Sequence, residues 1–165
     1  MRVYLPTTTI GLLDLVEAGS LGGASTTAFA VTPGLREWYV DDDVEELEYA
    51  ATMEAARASL RMLDSAPEAA RRRVVLAADV PDDAVTVRDD LDRGVVQITG
   101  PVALAQIVAL HADGPDAESA VAAAAQAITA ADLGDEAAQE AVDDAEGFEL
   151  SWYANQEIEV FVDLL

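Results

Sequence analysis

The chain has 165 residues, a formal net charge of −23 at neutral pH, no Cys, one His, and no Lys, so that every basic side chain is an Arg. The missing thiol excludes disulfides, thiolate zinc sites, iron–sulfur clusters and thiol nucleophiles. The missing amine excludes a lysine-bearing phosphate loop and a side-chain Schiff base, and the single imidazole excludes two-His metal motifs within one chain.

The charge would repel phosphates rather than neutralise them, which argues against nucleic acid and against anionic membrane surfaces. At 52% apolar the chain is nonetheless rich enough to fold, and its length suits one domain over 1–165. Thirty-three of the apolar residues are Ala, so the core must rest on a modest set of larger side chains. No apolar leader follows Met1, and the longest apolar stretch, Val102 to Ala112, is too short to span a bilayer. A soluble cytoplasmic protein is the expectation.

Arg2 to Leu5 reads as a short strand stopped by Pro6. Thr7 to Thr9 can cap a helix carrying Ile10, Leu13, Leu15 and Val16 that ends near Gly19. After a turn at Gly22-Gly23, Thr26 to Val31 reads as a strand, and Pro33 suits the first turn of a short helix to Tyr39. Asp41-Asp42-Asp43 breaks that helix and can cap the next, Val44 to Leu63. Its stripe is Val44, Leu47, Ala51, Met53 or Glu54, Ala56, Leu60 and Leu63, with Glu54, Arg57 and Arg61 spaced for ion pairs on the wet face.

Val74 to Ala78 is a continuous apolar run, as in a central strand covered on both faces. Val85 to Val87 suits an edge strand, and Val95 to Thr99 is another strand. A short helix from Val102 to Gln106 precedes a strand at Val108 to Ala112. Helices follow over Ala117 to Ala131 and from an Asp135 cap to Ala145. Phe148 to Tyr153 suits a strand. The last residues alternate like a strand at Ile158, Val160, Val162 and Leu164. The set Ile158, Phe161, Val162 and Leu165 has helical spacing instead, and a helix capped by Asn155 is expected.

Leu76 to Asp82 and Leu110 to Asp116 both read L-x-A-D-x-P-D. The shared word could record a duplicated strand-to-turn unit. It is equally ordinary cap chemistry, an Asp after a strand and a Pro opening the next element.

Four features carry candidate chemistry. His111 stands two residues before Asp113, where a base and an orienting carboxylate could be built. If the two similar turns were adjacent, Asp79, Asp82, Asp83, Asp113, Asp116 and Glu118 could converge on Mg²⁺ or Ca²⁺, with Asp79, Asp113 and His111 as its core. Trp38-Tyr39 and Trp152-Tyr153 hold four of the nine aromatics and, with Arg36, suit a shared pocket or contact surface as well as core packing. Arg71-Arg72-Arg73 could bind phosphate, or simply lead into a strand.

Ala28 to Tyr39, with Glu46 to Ala51, Arg72 to Val75 and Trp152 to Glu157, resembles an uncharacterised family of small acidic proteins from GC-rich bacteria. The resemblance runs over nearly the whole chain. It implies a bacterial cytoplasmic protein and brings no known activity and no catalytic residues.

The expected fold is mixed α/β: one sheet of five or six strands, helices packed on it, and a helical carboxy-terminal part. The leading expectation for function is a non-enzymatic binding or interaction module. It would need no cofactor, and its partner would be a cationic protein or small molecule. The alternative is a carboxylate-based hydrolase with Mg²⁺ or Ca²⁺, and a homodimer with its pocket at the subunit interface is a third reading.

Overall fold

The computed structural model describes residues 1–40 and 42–165. Nine strands and six helices appear among them: β1 (Arg2–Thr7), α1 (Thr9–Ala18), β2 (Ser20–Leu21), β3 (Ser25–Phe29), α2 (Pro33–Trp38), α3 (Val44–Asp64), β4 (Val74–Asp79), β5 (Val85–Val87), β6 (Val95–Thr99), β7 (Val102–Ala103), β8 (Ile107–Ala112), α4 (Glu118–Asp132), α5 (Glu136–Glu146), β9 (Ser151–Ala154) and α6 (Ile158–Asp163).

Seven strands form one antiparallel sheet in the order β5-β6-β3-β1-β4-β8-β9, and β2 with β7 makes a separate two-stranded ladder. The sheet is thus larger than the five or six strands expected, because β9 and the short β5 both join it, and the strand expected at Phe148–Tyr153 is Ser151–Ala154 instead. Pro6 does not stop β1. On the β3 side the ladder consists of the single pair Tyr4–Phe29, and Pro6 lies beyond it, where no N–H is required.

Strand alternation sorts the side chains onto two faces. Val3, Leu5, Val74, Leu76, Ala78, Leu110 and Ala112 face α1 and α6, where Leu12, Leu15, Ile158 and Phe161 complete one core. Tyr4, Phe29, Val75, Ala77 and Ala109 face α3, whose Ala50, Ala51, Ala55 and Ala56 lie close against them. A third cluster joins Leu60 and Leu63 of α3 to Val121, Ala124 and Ile128 of α4 and Val142 and Ala145 of α5.

The helix starts are those the residues dictate. Thr8 Oγ1 accepts from Gly11 N at 3.2 Å, Asp43 Oδ1 from Glu45 N at 3.0 Å, and Asp135 Oδ1 from Ala138 N at 2.9 Å. Asp41 of the acidic breaker lies outside the described residues. α1 is corrected in phase: Leu12 and Leu15 are buried while Ile10 and Leu13 are exposed. In α3, Val44 is exposed rather than part of the buried stripe. Arg57 and Arg61 do not pair with Glu54; both reach Asp132 of α4, at 3.1 Å and 2.7 Å.

The expected helix at 102–106 is instead the β7 strand followed by a single 3-10 turn over Leu104–Gln106. The carboxy-terminal helix is present, but Asn155 does not cap it. Its Nδ2 donates to Leu104 O and Ile107 O, and Glu157 Oε2 accepts from Ala154 N at 2.7 Å.

The two L-x-A-D-x-P-D words occupy equivalent places. Leu76 and Leu110 are cross-strand partners in the β4–β8 ladder. Each word's Asp ends its strand beside the Arg that starts the neighbouring one: Asp79 opposite Arg2, and Asp113 beside Arg73. Because β4 and β8 run antiparallel, the two Asp residues stand at opposite ends of the sheet.

Candidate functional site

The carboxy-terminal half of α3 is pinned to the sheet. Ser59 Oγ donates to Thr7 O at 2.7 Å and accepts from Val74 N at 3.1 Å. Toward its amino-terminal half a second stripe, Glu45, Glu48, Tyr49, Thr52 and Met53, runs beside the buried one at helical spacing. This stripe is one wall of a groove of about 480 Å³. Tyr4, Ala109 and His111 form its floor, Phe148, Glu149, Leu150 and Trp152 its other wall, and Arg2 stands at one end. The small Ala77 and Ala109 on this face leave the volume open, whereas Leu76 and Leu110 fill the opposite face.

The groove is aromatic and acidic. Arg2 is its one cation, and it is already used: Nε donates to Asp79 Oδ1 at 2.6 Å and Nη2 to Asp79 Oδ2 at 3.2 Å. This bond raises the Arg2 pKa and holds the Asp79 carboxyl below its usual value. Among the described residues, Glu45, Glu48 and Glu149 have no ion-pair partner. Burial, and secondarily the Glu48 charge, push the Tyr4 phenol up, so it stays protonated. Burial pushes the His111 imidazole down, so it is neutral near pH 7.

The wall at 148–150 is anchored from beneath. Arg73 Nε and Nη2 donate to Asp113 Oδ2 and Oδ1, both at 2.8 Å, and Nη2 also donates to Phe148 O at 2.9 Å. Side-chain exposure is 1% for Arg73 and 0% for Asp113.

Over residues 1–162 the sequence matches the model of a family described as a family of unknown function, DUF6912. The chain belongs to this family. No curated protein and no solved structure matches it. The DUF6912 match covers all the residues that build the groove, from Arg2 to Trp152.

The structure does not bring the residues of the expected base–carboxylate pair and metal cluster together. Asp113 is committed to Arg73, on the backbone N–H as well as the guanidinium. His111 lies opposite Val75 and Asp79 four residues further along β4, a separation of about 13 Å at strand rise. Among the described residues no three His, Asp or Glu side chains converge as a cation site.

The two Trp-Tyr pairs do not share one pocket. Strand alternation puts Trp152 in the groove and Tyr153 on the other face, against Phe161 at 5.0 Å between ring centres. Tyr39 lines a second hollow of about 670 Å³ on the far flank of α3 with Glu46 and Glu54. Tyr49 and Met53 form the ridge between the two hollows. Trp38 stands outside both, with Arg93 over its ring, and Arg36 pairs with Asp42 at 3.1 Å.

The triple-Arg run is internal chemistry. Arg71 donates to the carbonyl of Leu63 at the α3 carboxy-terminus and to those of Ala66 and Ala69 in the segment that follows, Arg72 pairs with Glu118 at 3.1 Å, and Arg73 is the buried anchor.

The Thr32-Pro33-Gly34 segment is held by Asp89. Asp89 accepts from Thr32 Oγ1 at 2.6 Å, Gly34 N at 2.9 Å and Gly94 N at 3.0 Å. Burial alone would raise its pKa, but these three bonds outweigh it and hold the carboxyl low. A Cβ at Gly34 would stand 2.6 Å from the Asp89 carboxyl carbon, which is why glycine is needed there.

Tyr4, Glu48, Tyr49 and Glu149 were missed. The signal for Tyr4 was available, since Arg2 and Tyr4 alternate with the core residues Val3 and Leu5.

Proposed function

We propose that the groove between α3 and β8–β9 binds a positively charged group of a partner molecule, and that the protein acts as a binding module. The observation that carries this reading is the composition of the groove. Aromatic rings from Tyr4, Tyr49, Phe148 and Trp152 stand among Glu45, Glu48 and Glu149, while the only local cation is neutralised by Asp79.

An aromatic face attracts a cation by about 0.5–2 kcal/mol, more when the site is desolvated. Carboxylates without an internal partner add a salt-dependent attraction. The net charge of −23 would speed the approach of a basic partner. A volume of about 480 Å³ is within the range of small-ligand and side-chain sites.

The test uses the Trp38→Phe variant, which leaves Trp152 as the only indole reporter. Oligo-lysine and oligo-arginine peptides should both change its emission saturably, less so as salt rises, and a neutral peptide of equal length should not. No response to either basic peptide, or a response unaltered by the Glu48→Gln/Glu149→Gln double substitution, would contradict the reading.

A further inference from the structure

We infer that the cation this groove selects is a guanidinium, carried on an arginine of an extended partner segment laid along β9. The inference rests on the binding reading above and narrows it to one ligand class.

The molecule supplies its own example of the contact. Trp38 and Trp152 are about equally exposed, at 62% and 61%. Over Trp38 the chain lays a guanidinium of its own, Arg93, with Cζ 3.6 Å from the ring centre. Trp152 has no such cover among the described residues. Its surroundings supply what a stacked guanidinium needs at its edges, because Glu149 and Glu48 line the same groove.

A guanidinium is flat and weakly hydrated. It can stack on an indole while its edge donates to a carboxylate, whereas an ammonium is a strongly hydrated point charge that gives up more water to enter. The floor suits the flat cation too. His111 is the cross-strand partner of Trp152 and is held neutral by burial, so it adds no opposing charge.

The extended segment follows from the position of Trp152. β9 is the last strand of the sheet, and its outer edge has no neighbour among the described residues. Glu157 occupies Ala154 N–H, which confines the open stretch to Ser151–Tyr153. A strand laid beside those residues would project alternate side chains over the α3 face, next to Trp152.

Three peptides that differ only at one central position, Arg, Lys or citrulline, decide the matter when titrated against the Trp38→Phe protein, with free arginine amide as a fourth ligand. The arginine peptide should bind about five- to tenfold tighter than the lysine peptide, the scale of one stacked cation, and citrulline should abolish binding. Trp152→Ala, with binding read by titration calorimetry, should erase the preference for arginine while the melting temperature stays unchanged.

Equal affinity for Arg and Lys peptides overturns this inference and leaves the binding reading intact. Arginine amide binding as tightly as the arginine peptide overturns the extended segment. Failure of both charged peptides to bind sinks the inference together with the reading on which it rests.

Discussion

The α3 face of the sheet is closed at one end and open at the other, and at each stands an Arg–Asp pair whose Asp comes from the repeated word. At the closed end Arg73–Asp113 is sealed under the α3–α4–α5 cluster and ties down the 148–150 segment. At the open end Arg2–Asp79 stays in solvent, with side-chain exposures of 40% and 58%, and borders the groove. The same pair of residue types at the same register thus serves architecture where helices cover it and stays in solvent at the groove's end where they do not. The cover decides the role, and the cover comes from α4 and α5, which pack only on the closed end.

This contrast makes quantitative predictions. Asp113→Ala strands a buried guanidinium and should cost about 3–5 kcal/mol, read as a shift in denaturant midpoint. Because Arg73 Nη1 has no acceptor among the described residues even in the intact pair, the double replacement Arg73→Met/Asp113→Leu should recover a large part of that loss.

Asp132→Ala releases Arg57 and Arg61 together, and partial exposure limits the cost to about 1 kcal/mol. Asp79→Ala, at the open end, should cost less than about 1 kcal/mol. A stability loss at Asp79 as large as at Asp113 would erase the distinction between the ends.

Stability should also depend on pH in two windows. Folding lowers the His111 pKa, so the unfolded chain binds the proton more tightly. His111 therefore contributes stability above its ordinary value near 6.5 that is lost as pH falls through the lower, folded value. His111→Gln should flatten that part of the stability profile. The carboxyls of Asp79, Asp89 and Asp132 are also held low, so their contribution is present above their ordinary value of 3.8 and is lost in stronger acid. Thermal melts of wild type and His111→Gln across this range check both windows.

Much of the scaffold was legible from the residues. α3 was readable to within a residue because Asp43 caps it and Leu47, Ala51, Leu60 and Leu63 mark its buried face. β4 was readable because Val74 to Ala78 is apolar without interruption, as burial on both faces demands. The β2–β7 ladder was not, since two-residue strands carry no periodicity.

The site was legible residue by residue but not as a constellation. His111 and Trp152 drew notice for their chemistry, and the structure does place them side by side. Asp79 and Asp113 were grouped through a shared word whose copies antiparallel pairing sends to opposite ends. Periodicity reports which face a side chain takes within its own element; which element lies opposite depends on strand order, which no local pattern encodes.

The central claim is that the groove between α3 and β8–β9 is where a cation binds. The most direct measurement is a two-dimensional amide NMR titration of the full chain with the arginine peptide. The account predicts saturable shifts confined to Tyr4, Glu48, Tyr49, His111 and Glu149 to Trp152, with the closed end around Arg73 and Asp113 unmoved. Shifts centred elsewhere, such as the α1–α6 face at Leu13 and Val160, or no shifts at all, would contradict it.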